Sequence, residues 1–586
     1  MSRLSPLLRA AWSLTRPYFT SEDRWPALAL ITVLVGLNLG QVFLSVLFNE
    51  WNNLFYTALQ DKDWPVFVHQ LTRFCWLAAL FIIAGVYQLY FNQMLQIRWR
   101  QWLTRRYLDA WLDRRAYYRM QLVNGATDNP DQRIADDLRL FTQRTLDLSL
   151  GLLSAVVTLV SFLGILWALS GNFSITLFGH DVVVPGYMVW FALAYAFIGT
   201  WLTNKIGRRL IRLNFDQQRY EADFRFSLVR VRENADAIAL DRGEPSEKRG
   251  LVERFAAVAA NWWGIMRAQK RLTWFTAGYG QVAIVFPFAV ASPQYFAGKL
   301  ALGGLMQTAS AFGQVQNSLS FIITSYAEIA EWTSVVDRLA QFRAATIAAN
   351  ESEREGRSVD LRPSDRPAMV LDHVTVELPD ERPLLEVTGV ELEAGQSVLI
   401  TGPSGSGKST LFRALAGIWP FGKGTVRIPA GAKLMFLPQR PYLPVATLRE
   451  VLAYPGSPAD FDDERLKAAL VACRLPELAS RLDQSRHWAL ILSPGEQQRL
   501  AFVRALLHRP DWLFADEATS ALDEATERHL YTNVNRLLPN TTVISVGHRS
   551  TLRDLHSVHL AVERPPDGRR ARLVDAEPAR PNSVRV

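Results

Sequence analysis

The chain has 586 residues, too many for a single hydrophobic core, so we expect at least two domains. Hydrophobic residues make up 49% of the sequence, charged residues only 20%, and there are 18 Trp, a composition that favours a membrane protein. The formal net charge of +8 is compatible with a nucleic-acid or a membrane partner. The two cysteines, Cys75 and Cys473, are too few for a disulfide framework or a cysteine-based zinc site.

The first apolar run follows a basic N-terminal segment that contains Arg3, Arg9, Arg16 and Arg24. This run is longer than the apolar core of a secretory signal and lacks a small-residue cleavage site. We therefore expect it to remain in the protein as a membrane anchor.

Six uncharged stretches in the N-terminal half reach the roughly 20 residues that a membrane-spanning helix needs. They are residues 27–48, 75–97, 148–169, 182–204, 272–291 and 300–327. A buried core helix can be equally apolar, but six such stretches in series favour six transmembrane helices.

Basic residues are distributed unevenly among the connections between these stretches. The second-to-third and fourth-to-fifth connections are rich in arginine, whereas the opposite side has little more than Lys62, Arg73 and Lys299. Positive residues accumulate on the cytoplasmic side of a membrane. Both termini and the two basic connections are therefore predicted to be cytoplasmic. Because topology explains the positive charge, no nucleic-acid partner is expected.

The two basic connections have the apolar spacing of helices, as in residues 99–112, and we expect helices that continue out of the membrane. Turn residues near Asn124-Gly125 and at residues 242–245 are expected to reverse each helical pair at its tip. Both tips are candidates for docking against a cytosolic domain.

Polar residues recur along one face of the last apolar stretch, at intervals of three, four or seven. Two alternatives remain open, a substrate path through the helical bundle and hydrogen bonds between packed helices. The path residues under the first alternative are Gln307, Gln314, Asn317, Glu328 and Glu331.

Residues 350–365 are charged and poor in apolar residues, which is typical of a linker. Short β-type runs begin after this segment and later alternate with helical patterns, as an α/β nucleotide-binding domain requires. We therefore predict a transmembrane domain at 1–349, a linker at 350–365 and a nucleotide-binding domain at 366–576. Residues 577–586 show no periodicity and are predicted to be a disordered tail.

The sequence GPSGSGKS at residues 402–409 follows the apolar run 398–400 and precedes a helical pattern. It fits the G-x-x-x-x-G-K-[ST] phosphate-binding loop in its strand–loop–helix context. Lys408 is expected to reach the β- and γ-phosphates of ATP, and the Ser409 hydroxyl to bind Mg²⁺. A chance glycine-rich turn is the alternative, which the motifs downstream disfavour. The predicted ATP-binding residues of the loop are Gly402, Pro403, Ser404, Gly405, Ser406, Gly407, Lys408, Ser409 and Thr410.

Four further motifs follow the loop in a fixed order. They are LPQ at 437–439, LSPGEQQR at 492–499, LFADE at 513–517 followed by SALD at 520–523, and VISVGH at 543–548. Together and in this order, they make the C-terminal part, from about Met369 to the end of the chain, resemble an ATP-binding cassette (ABC) protein.

This resemblance assigns a role to each motif. It implies that Asp516 positions Mg²⁺, that Glu517 is the general base on the attacking water and that Gln439 contacts the metal. His548 is expected to touch the γ-phosphate. Ser493 and Gly495 complete the ATP site of a second subunit in this family, so the resemblance also implies a homodimer with two equivalent ATP sites.

Two positions depart from the family pattern. Pro494 stands where the family usually has glycine, which removes one backbone N–H from the loop that faces the γ-phosphate. Leu378 stands where an aromatic side chain usually stacks on adenine, so we expect only a modest preference for ATP over GTP.

The membrane half resembles a particular branch of the family. Residues 49–60, NEWNNLFYTALQ, are similar to the SbmA/BacA-related transporters and their cassette-bearing YddA-like relatives. Residues 129–137, NPDQRIADD, resemble a segment of the subfamily D transporters, which include the peroxisomal acyl-CoA transporters.

These resemblances imply an exporter-like fold of six transmembrane helices fused to a cytosolic α/β phosphate-loop domain. The implied function is ATP-driven uptake of peptides, including antimicrobial ones, or of cobalamin-like hydrophilic compounds across the bacterial inner membrane. A lipid or acyl-CoA transporter is the alternative. An ATP-gated channel or a cytosolic cassette ATPase is disfavoured by Glu517, His548 and the six apolar stretches.

Overall fold

The computed structural model describes residues 4–123, 130–170, 172–177, 180–351, 358–563 and 571–575. The chain divides into two compact units. The first, which we call the membrane unit, comprises Met1–Leu108 and Asn129–Phe342. The second, the cassette unit, comprises Asp109–Asp128 and Arg343–Val586. The predicted tail at 577–586 and the predicted turn at Asn124-Gly125 lie outside the described residues.

The N-terminal half is built almost entirely from helices. In chain order they are α1 (Leu4–Phe19), α2 (Arg24–Gln60), α3 (Trp64–Leu112), α4 (Ala116–Val123), α5 (Pro130–Gln132), α6 (Leu138–Ser170), α7 (Tyr187–Glu233), α8 (Ala235–Leu240), α9 (Glu244–Phe296), α10 (Leu302–Thr324) and α11 (Tyr326–Glu351). A π-helical turn, Arg133–Asp137, joins α5 to α6. The helix α4 belongs to the cassette unit.

Four helical segments of the described chain are long and apolar enough to cross a membrane. They are Arg24–Gln60, Trp64–Leu122, Pro130–Ser170 and Glu244–Phe296, and each contains one of the predicted spans. The remaining two predicted spans fall mainly in α7 and α10, which are not among these four, so the count of six stays a prediction.

The predicted start of the fourth span, at Val182, is wrong. The backbone of β2 (His180–Pro185) pairs antiparallel with β1 (Asn172–Leu177), and α7 begins only at Tyr187. Three consecutive valines at 182–184 favour an extended strand because their branched side chains are restricted in a helix. Pro185 and the left-handed Gly186 (φ 64°) then end the strand before α7.

The predicted sixth span comprises α10 and the start of α11, which meet at Ser325. Helix α10 ends at Thr324 and α11 begins at Tyr326. The Ser325 N–H donates to the Phe321 carbonyl oxygen (2.9 Å) and the Ile329 N–H to the Ser325 carbonyl oxygen (2.9 Å), so helical hydrogen bonding continues through this residue. The core of the membrane unit lies beside α10, where Ala311, Phe312 and Val315 pack against Phe162 and Tyr187.

The run 49–60 at the end of α2 holds the beginning of α10. The Asn49 side-chain amide donates to the Gln307 carbonyl oxygen (3.0 Å), and the Asn53 amide donates to Gln307 Oε1 (2.8 Å). The Gln60 side chain accepts from the Leu302 backbone N–H (2.6 Å), at the first residue of α10. Residues 49–60, which carry the resemblance to the family branch, therefore also form the hydrogen-bonded contact between α2 and α10.

The first predicted docking tip lies in the cassette unit. Arg115 donates from Nη1 to the Ala416 carbonyl oxygen (2.9 Å), and Leu122 packs against a buried cluster of the nucleotide-binding domain. The described residues that precede this tip therefore contact the nucleotide-binding domain, whereas docking of the tip itself stays a prediction. The second tip, around Arg242, lies in the membrane unit, and its docking stays a prediction.

The cassette unit is organised around an 11-stranded sheet. Its strands are β3 (Asp360–Ser364), β4 (Ala368–Glu377), β5 (Pro383–Val387), β6 (Val390–Glu393), β7 (Ser397–Thr401), β8 (Gly422–Pro429), β9 (Leu434–Leu437), β12 (Trp512–Asp516), β13 (Thr542–Val546), β14 (Val558–Glu563) and β15 (Ala571–Asp575). Two short strands, β10 (Ala446–Thr447) and β11 (Ser485–Arg486), pair separately. The sheet order is β3-β8-β4-β5-β15-β14-β7-β13-β12-β9, with β6 beside β4.

Helices cover this sheet, namely α12 (Lys408–Leu415), α13 (Leu448–Ala453), α14 (Asp463–Ala472), α15 (Trp488–Ile491), α16 (Pro494–His508) and α17 (Glu524–Leu537). The strands β14, β7, β13, β12 and β9 are parallel to their neighbours in that order. Alternate residues of one strand enter two different buried clusters, as Leu513 and Phe514 do, so both faces of the sheet are covered.

The predicted linker at 350–365 is shorter in the structure. Helix α11 continues to Glu351, and Asp360–Ser364 form β3, which pairs in parallel with β8. The physical reason is that Val359 is buried and Leu361 packs against the same cluster, so this part of the segment is not a solvated connection.

Candidate functional site

Four sequence motifs meet at one edge of the sheet because the strands that precede them are parallel neighbours. The phosphate loop follows β7, Gln439 follows β9, Asp516 ends β12, and His548 follows β13. The carboxyl ends of parallel strands form the ligand-binding edge of an open α/β sheet. The fold therefore brings together the motifs that the sequence places far apart.

Two glycines of the phosphate loop adopt backbone conformations that other residues rarely adopt. Gly402 has φ 148°, and a Cβ atom there would lie 2.9 Å from the Val562 carbonyl oxygen. Gly407 has φ 99° and is the residue directly before α12. Both positions require glycine, so the loop can wrap closely in front of the positive end of the helix.

Lys408 lies within the phosphate loop and is 6% exposed. Its ammonium group donates to the carbonyl oxygens of Gly402 (2.7 Å) and Pro403 (2.8 Å). Burial lowers the pKa of Lys408, and the charges of Glu517 and Asp516 partly oppose this shift. An ammonium held only by carbonyl oxygens keeps the capacity to bind an anionic phosphate oxygen.

One hydroxyl of the loop is buried without a partner. Ser406 is 5% exposed, and its Oγ has no hydrogen-bond partner in the described part of the chain. Pro403, Ser404 and Gly405 are exposed, so the loop is open to solvent. A buried hydroxyl needs a partner, and a bound phosphate supplies acceptors, so the loop fits a nucleotide phosphate.

Ser409 and Asp516 form the predicted Mg²⁺ side of the site. The Ser409 hydroxyl donates to Asp516 Oδ1 (2.9 Å). Burial raises the pKa of Asp516; among the smaller effects, the Ser409 hydrogen bond lowers it and the charge of Glu517 raises it. A hydroxyl and a carboxylate are oxygen ligands of the kind that Mg²⁺ prefers, so these residues fit the ion.

Glu517 has an unusual backbone conformation and two polar neighbours. Its φ of 49° lies in the left-handed region, where a residue other than glycine stores strain. Gln439 Nε2 donates to Glu517 Oε2 (3.1 Å), and His548 Nε2 lies 3.6 Å from Glu517 Oε1. The three side chains assigned to metal contact, base and γ-phosphate contact are therefore adjacent.

The comparisons with known proteins agree with this geometry. Residues 14–296 match the family described as ABC transporter transmembrane region 2, and residues 385–520 match the family described as ABC transporter. The chain is 34% identical to the inner membrane ABC transporter ATP-binding protein YddA of Escherichia coli (strain K12), over 92% of this chain and 94% of the relative. The chain belongs to the ABC transporter family.

Two further similarities define the branch and the fold of this ABC transporter. It is 27% identical to the lysosomal cobalamin transporter ABCD4 of Homo sapiens, over 92% of each chain. A solved structure of a bacterial Atm1-family ABC exporter with ATP bound matches with a TM-score of 0.69, at 21% identity, over 95% of this chain and 96% of that chain. The exporter-like fold and the relation to YddA-like and subfamily D transporters are thereby confirmed. The protein is a multi-pass membrane protein and an ATPase coupled to transport.

The signature residues of this ABC transporter begin α16. The Ser493 hydroxyl and backbone N–H both donate to Glu496 (2.6 and 2.8 Å), which forms a capping box, and Pro494 is the first helical residue. A Cβ at Gly495 would lie 3.2 Å from the Ala521 carbonyl oxygen. The recorded contacts of Ser493 and Gly495 are therefore with neighbouring residues of their own chain and not with the phosphate loop.

The predicted adenine position of the ABC transporter carries a leucine and not an aromatic residue. Leu378 lies half-buried in the β4–β5 hairpin, where its N–H donates to the Arg382 carbonyl oxygen (2.8 Å). The nearby Trp419 is 7% exposed, and its ring N–H donates to the Glu377 carbonyl oxygen (2.8 Å). This tryptophan is fixed within the core and does not replace a stacking ring.

Two buried side chains to which the sequence analysis assigned no role also contact the catalytic segments. Gln498 donates to the Gln439 carbonyl oxygen (3.0 Å) and accepts from the Ala521 N–H (2.9 Å). Glu527, which is 1% exposed, binds Thr519 and Thr551. The sequence does contain a signal for Glu527. Its spacing of three and seven residues from Leu530 and Val534 places this carboxylate on the apolar face of the helix.

The predicted path residues in the membrane unit occupy different environments. Gln307 is buried and bonded to Asn53, whereas Gln314 is half-buried and Asn317 is exposed. Glu328 and Glu331 both accept from Arg144 of α6, at 3.0 and 2.8 Å. Gln307 therefore serves helix packing within this chain, while Gln314 and Asn317 remain accessible.

Proposed function

We propose that two copies of this chain form an ATP-driven transporter in the bacterial inner membrane, which takes up peptides or cobalamin-like hydrophilic compounds. The observation that carries the ATP-driven part is the meeting of Lys408, the Ser409–Asp516 pair and Glu517 at one sheet edge. Both termini and the ATP site face the cytoplasm in this proposal, as the arginine-rich connections require.

The proposed hydrolytic roles follow from what phosphoryl transfer requires. Lys408 and the loop N–H groups hold the phosphates, and Glu517 accepts a proton from the attacking water. His548, which lies 3.6 Å from Glu517, contacts the γ-phosphate. Mg²⁺, held by Ser409, Asp516 and Gln439, neutralises phosphate charge when it is bound.

The homodimer is supported by the position of the signature residues at the start of a long helix. Ser493 and Gly495 lie at the positive end of α16, which is 15 residues long. The N-terminus of such a helix favours an anionic phosphate. In the dimer this end faces the ATP held by the phosphate loop of the second copy.

The proposed cargo is supported by the polar residues of α10 and by the relatives. Gln314 and Asn317 offer amide groups that are not buried, and amides suit a hydrophilic cargo better than an acyl chain. One relative is by its printed name a cobalamin transporter. Acyl-CoA transport is the competing outcome of the experiment.

The decisive experiment measures ATP-dependent uptake of labelled peptide, labelled cobalamin and labelled acyl-CoA in membrane vesicles of known orientation. We expect wild-type protein to move peptide or cobalamin toward the ATP-containing side and the Glu517→Gln variant to move neither. Movement of acyl-CoA alone would replace the proposed cargo by the lipidic one. Unchanged transport in Glu517→Gln would contradict the base assignment.

The path residues have a matched pair of variants. Gln314→Leu is expected to lower uptake while the basal ATPase rate stays near the wild-type value, because the Gln314 side chain is accessible and forms no hydrogen bond within the described part of the chain. Gln307→Leu removes the contact with Asn53 and is expected to lower stability before it alters cargo choice. Equal loss of uptake and stability in both variants would contradict the path.

A further inference from the structure

Glu527 is a buried carboxylate on α17 to which no function has been assigned. It is 1% exposed, and its two oxygens are bound separately. Thr519 Oγ1 donates to Oε2 and Thr551 Oγ1 donates to Oε1, both at 2.6 Å. A buried carboxylate must be hydrogen-bonded, and these two hydroxyls give each of its oxygens a donor.

The two threonines belong to different catalytic segments. Thr519 follows Glu517 by two residues, in the loop after β12, and Thr551 follows His548 by three residues, after β13. Glu527 therefore joins the loop that carries the base to the loop that carries the histidine. The helix that bears Glu527 is itself fixed, since Leu530, Tyr531 and Val534 are buried in the adjacent core.

Arg549 adds a second connection between the same loops. Its guanidinium lies 3.8 Å from Glu527 Oε2 and donates to the carbonyl oxygens of Ser520 and Leu522. The loop after His548 is thus tied to the loop after Glu517 both through Glu527 and directly. His548 and Glu517, whose side chains lie 3.6 Å apart, are carried by the two loops that this connection joins.

We propose that Glu527 is a positioning residue for ATP hydrolysis, which holds the Glu517 loop and the His548 loop in register through Thr519 and Thr551. The proposal rests on the roles proposed above for Glu517 and His548. It does not involve contact between Glu527 and ATP. Small displacements of catalytic groups cost up to about 100-fold in rate, so loss of this bridge should affect turnover more than nucleotide binding.

The test uses paired substitutions of the threonines in the full-length protein, reconstituted in lipid. Thr551→Val keeps the size of the side chain and removes the hydroxyl, whereas Thr551→Ser keeps the hydroxyl. We expect Thr551→Val to lower kcat for ATP about tenfold with KM unchanged, and Thr551→Ser to stay within about twofold of wild type. Thr519→Val and Thr519→Ser should behave in the same way.

Glu527→Gln is expected to give the same loss of kcat, and combining it with Thr551→Val should add little, because both break one bridge. Glu524→Gln is the matched control, since Glu524 lies on the same helix and is exposed. Binding of a fluorescent ATP analogue, measured per mole of protein, reports the folded fraction in each variant.

Equal rates in Thr551→Val and Thr551→Ser would overturn the proposal. So would a loss of rate that matches the loss of analogue-binding sites, because the bridge would then be needed only for folding. Glu517→Gln and His548→Ala, measured alongside, separate this result from the hydrolytic roles. If either keeps the wild-type rate, its role is wrong, whatever the threonine pairs show.

Discussion

A buried charged cluster of the membrane unit and the charged residues of the ATP site are satisfied differently. In the membrane unit Asp137, 1% exposed, accepts from Arg133 (2.8 Å) and from two nitrogens of Arg338 (2.9 and 2.7 Å). In the cassette unit the Lys408 ammonium donates to two backbone carbonyls, and Asp516 accepts from the neutral Ser409 hydroxyl.

The difference separates structural charges from binding charges. The Asp137 carboxylate is neutralised by Arg133 and Arg338, so it has little attraction left for a cation, and the cluster holds α11 to the π-helical turn before α6. Lys408 and Asp516 are paired with neutral groups and retain their attraction for phosphate and for a cation. Substitutions in the Asp137 cluster should therefore lower stability, whereas substitutions in the ATP site should lower the ATPase rate.

The largest effect is expected at Glu517. Glu517→Gln should lower the ATPase rate roughly 10²- to 10⁴-fold, because general base catalysis contributes about that much. The free energy of unfolding should change little, since the Glu517 side chain is 35% exposed and its recorded partners, Gln439 and His548, lie in the same open site. Steady-state ATPase and thermal unfolding of the reconstituted protein measure both. A large loss of stability would remove the distinction between the units.

Asp137→Asn should show the reverse signature. Removal of one partner from a buried ionic cluster costs about 3–5 kcal/mol, so we expect a lower unfolding temperature while the ATPase rate per folded molecule stays near wild type. Asp136→Asn is the matched control, because Asp136 is the exposed neighbour. A stable Asp137→Asn protein with a poor ATPase rate would show that this cluster is functional and not structural.

A pH dependence of the Mg²⁺ requirement sharpens the argument for the cassette unit. Burial raises the pKa of Asp516, so protons compete with Mg²⁺ at a higher pH than they would for an ordinary aspartate. The Mg²⁺ concentration for half-maximal ATPase rate should therefore rise as the pH falls. The Ser409 hydrogen bond lowers this pKa, so in Ser409→Ala the rise in the required Mg²⁺ concentration should begin at a higher pH. A pH-independent Mg²⁺ requirement would contradict the assignment of Asp516.

In the absence of the ion, the same raised pKa makes ionised Asp516 a cost to stability. The stability that protonation contributes is present at low pH and is lost as the pH rises through the folded-state pKa. Mg²⁺ should thus increase the unfolding temperature more at neutral than at acidic pH, as thermal unfolding with and without the ion measures.

The smallest effect is expected at the adenine position. Because Leu378 cannot stack, GTP should compete with ATP to within about tenfold of equal affinity. Leu378→Tyr should strengthen ATP binding by about 1 kcal/mol, or roughly fivefold, since aromatic stacking is worth about that much. Competition of both nucleotides against a fluorescent analogue measures these values. Strong adenine selectivity in the wild type would mean that another group recognises the base.

The cassette unit could be predicted from the sequence in more detail than the membrane unit. Each catalytic motif directly follows a short apolar strand, and parallel pairing of β7, β13, β12 and β9 then determines where the motifs meet. The hairpin β1–β2 was missed because apolar length alone does not separate three valines in a strand from the start of a spanning helix. Nothing in the sequence around Ser325 marks the division between α10 and α11, since no glycine or proline lies there.

The remaining features that the sequence did not predict depend on contacts between residues that are distant in the chain. The sequence marks Arg144, Glu328 and Glu331 as charged residues near the membrane boundary, but their pairing depends on how α6 and α11 pack. The placement of Asp109–Asp128 in the cassette unit also depends on such contacts, of which the hydrogen bond between Arg115 and Ala416 is one.

The phosphate-loop helix α12 begins at the phosphate loop and ends at the hydrogen bond between Arg115 and Ala416. Helix α12 has eight residues and so is a stiff rod of about 12 Å. Gly407 stands before its first residue, and Ala416, which accepts from Arg115, stands after its last. Because a helix of this length is rigid, a tilt at its phosphate-loop end would displace Ala416 and its hydrogen-bond partner Arg115 at the other end.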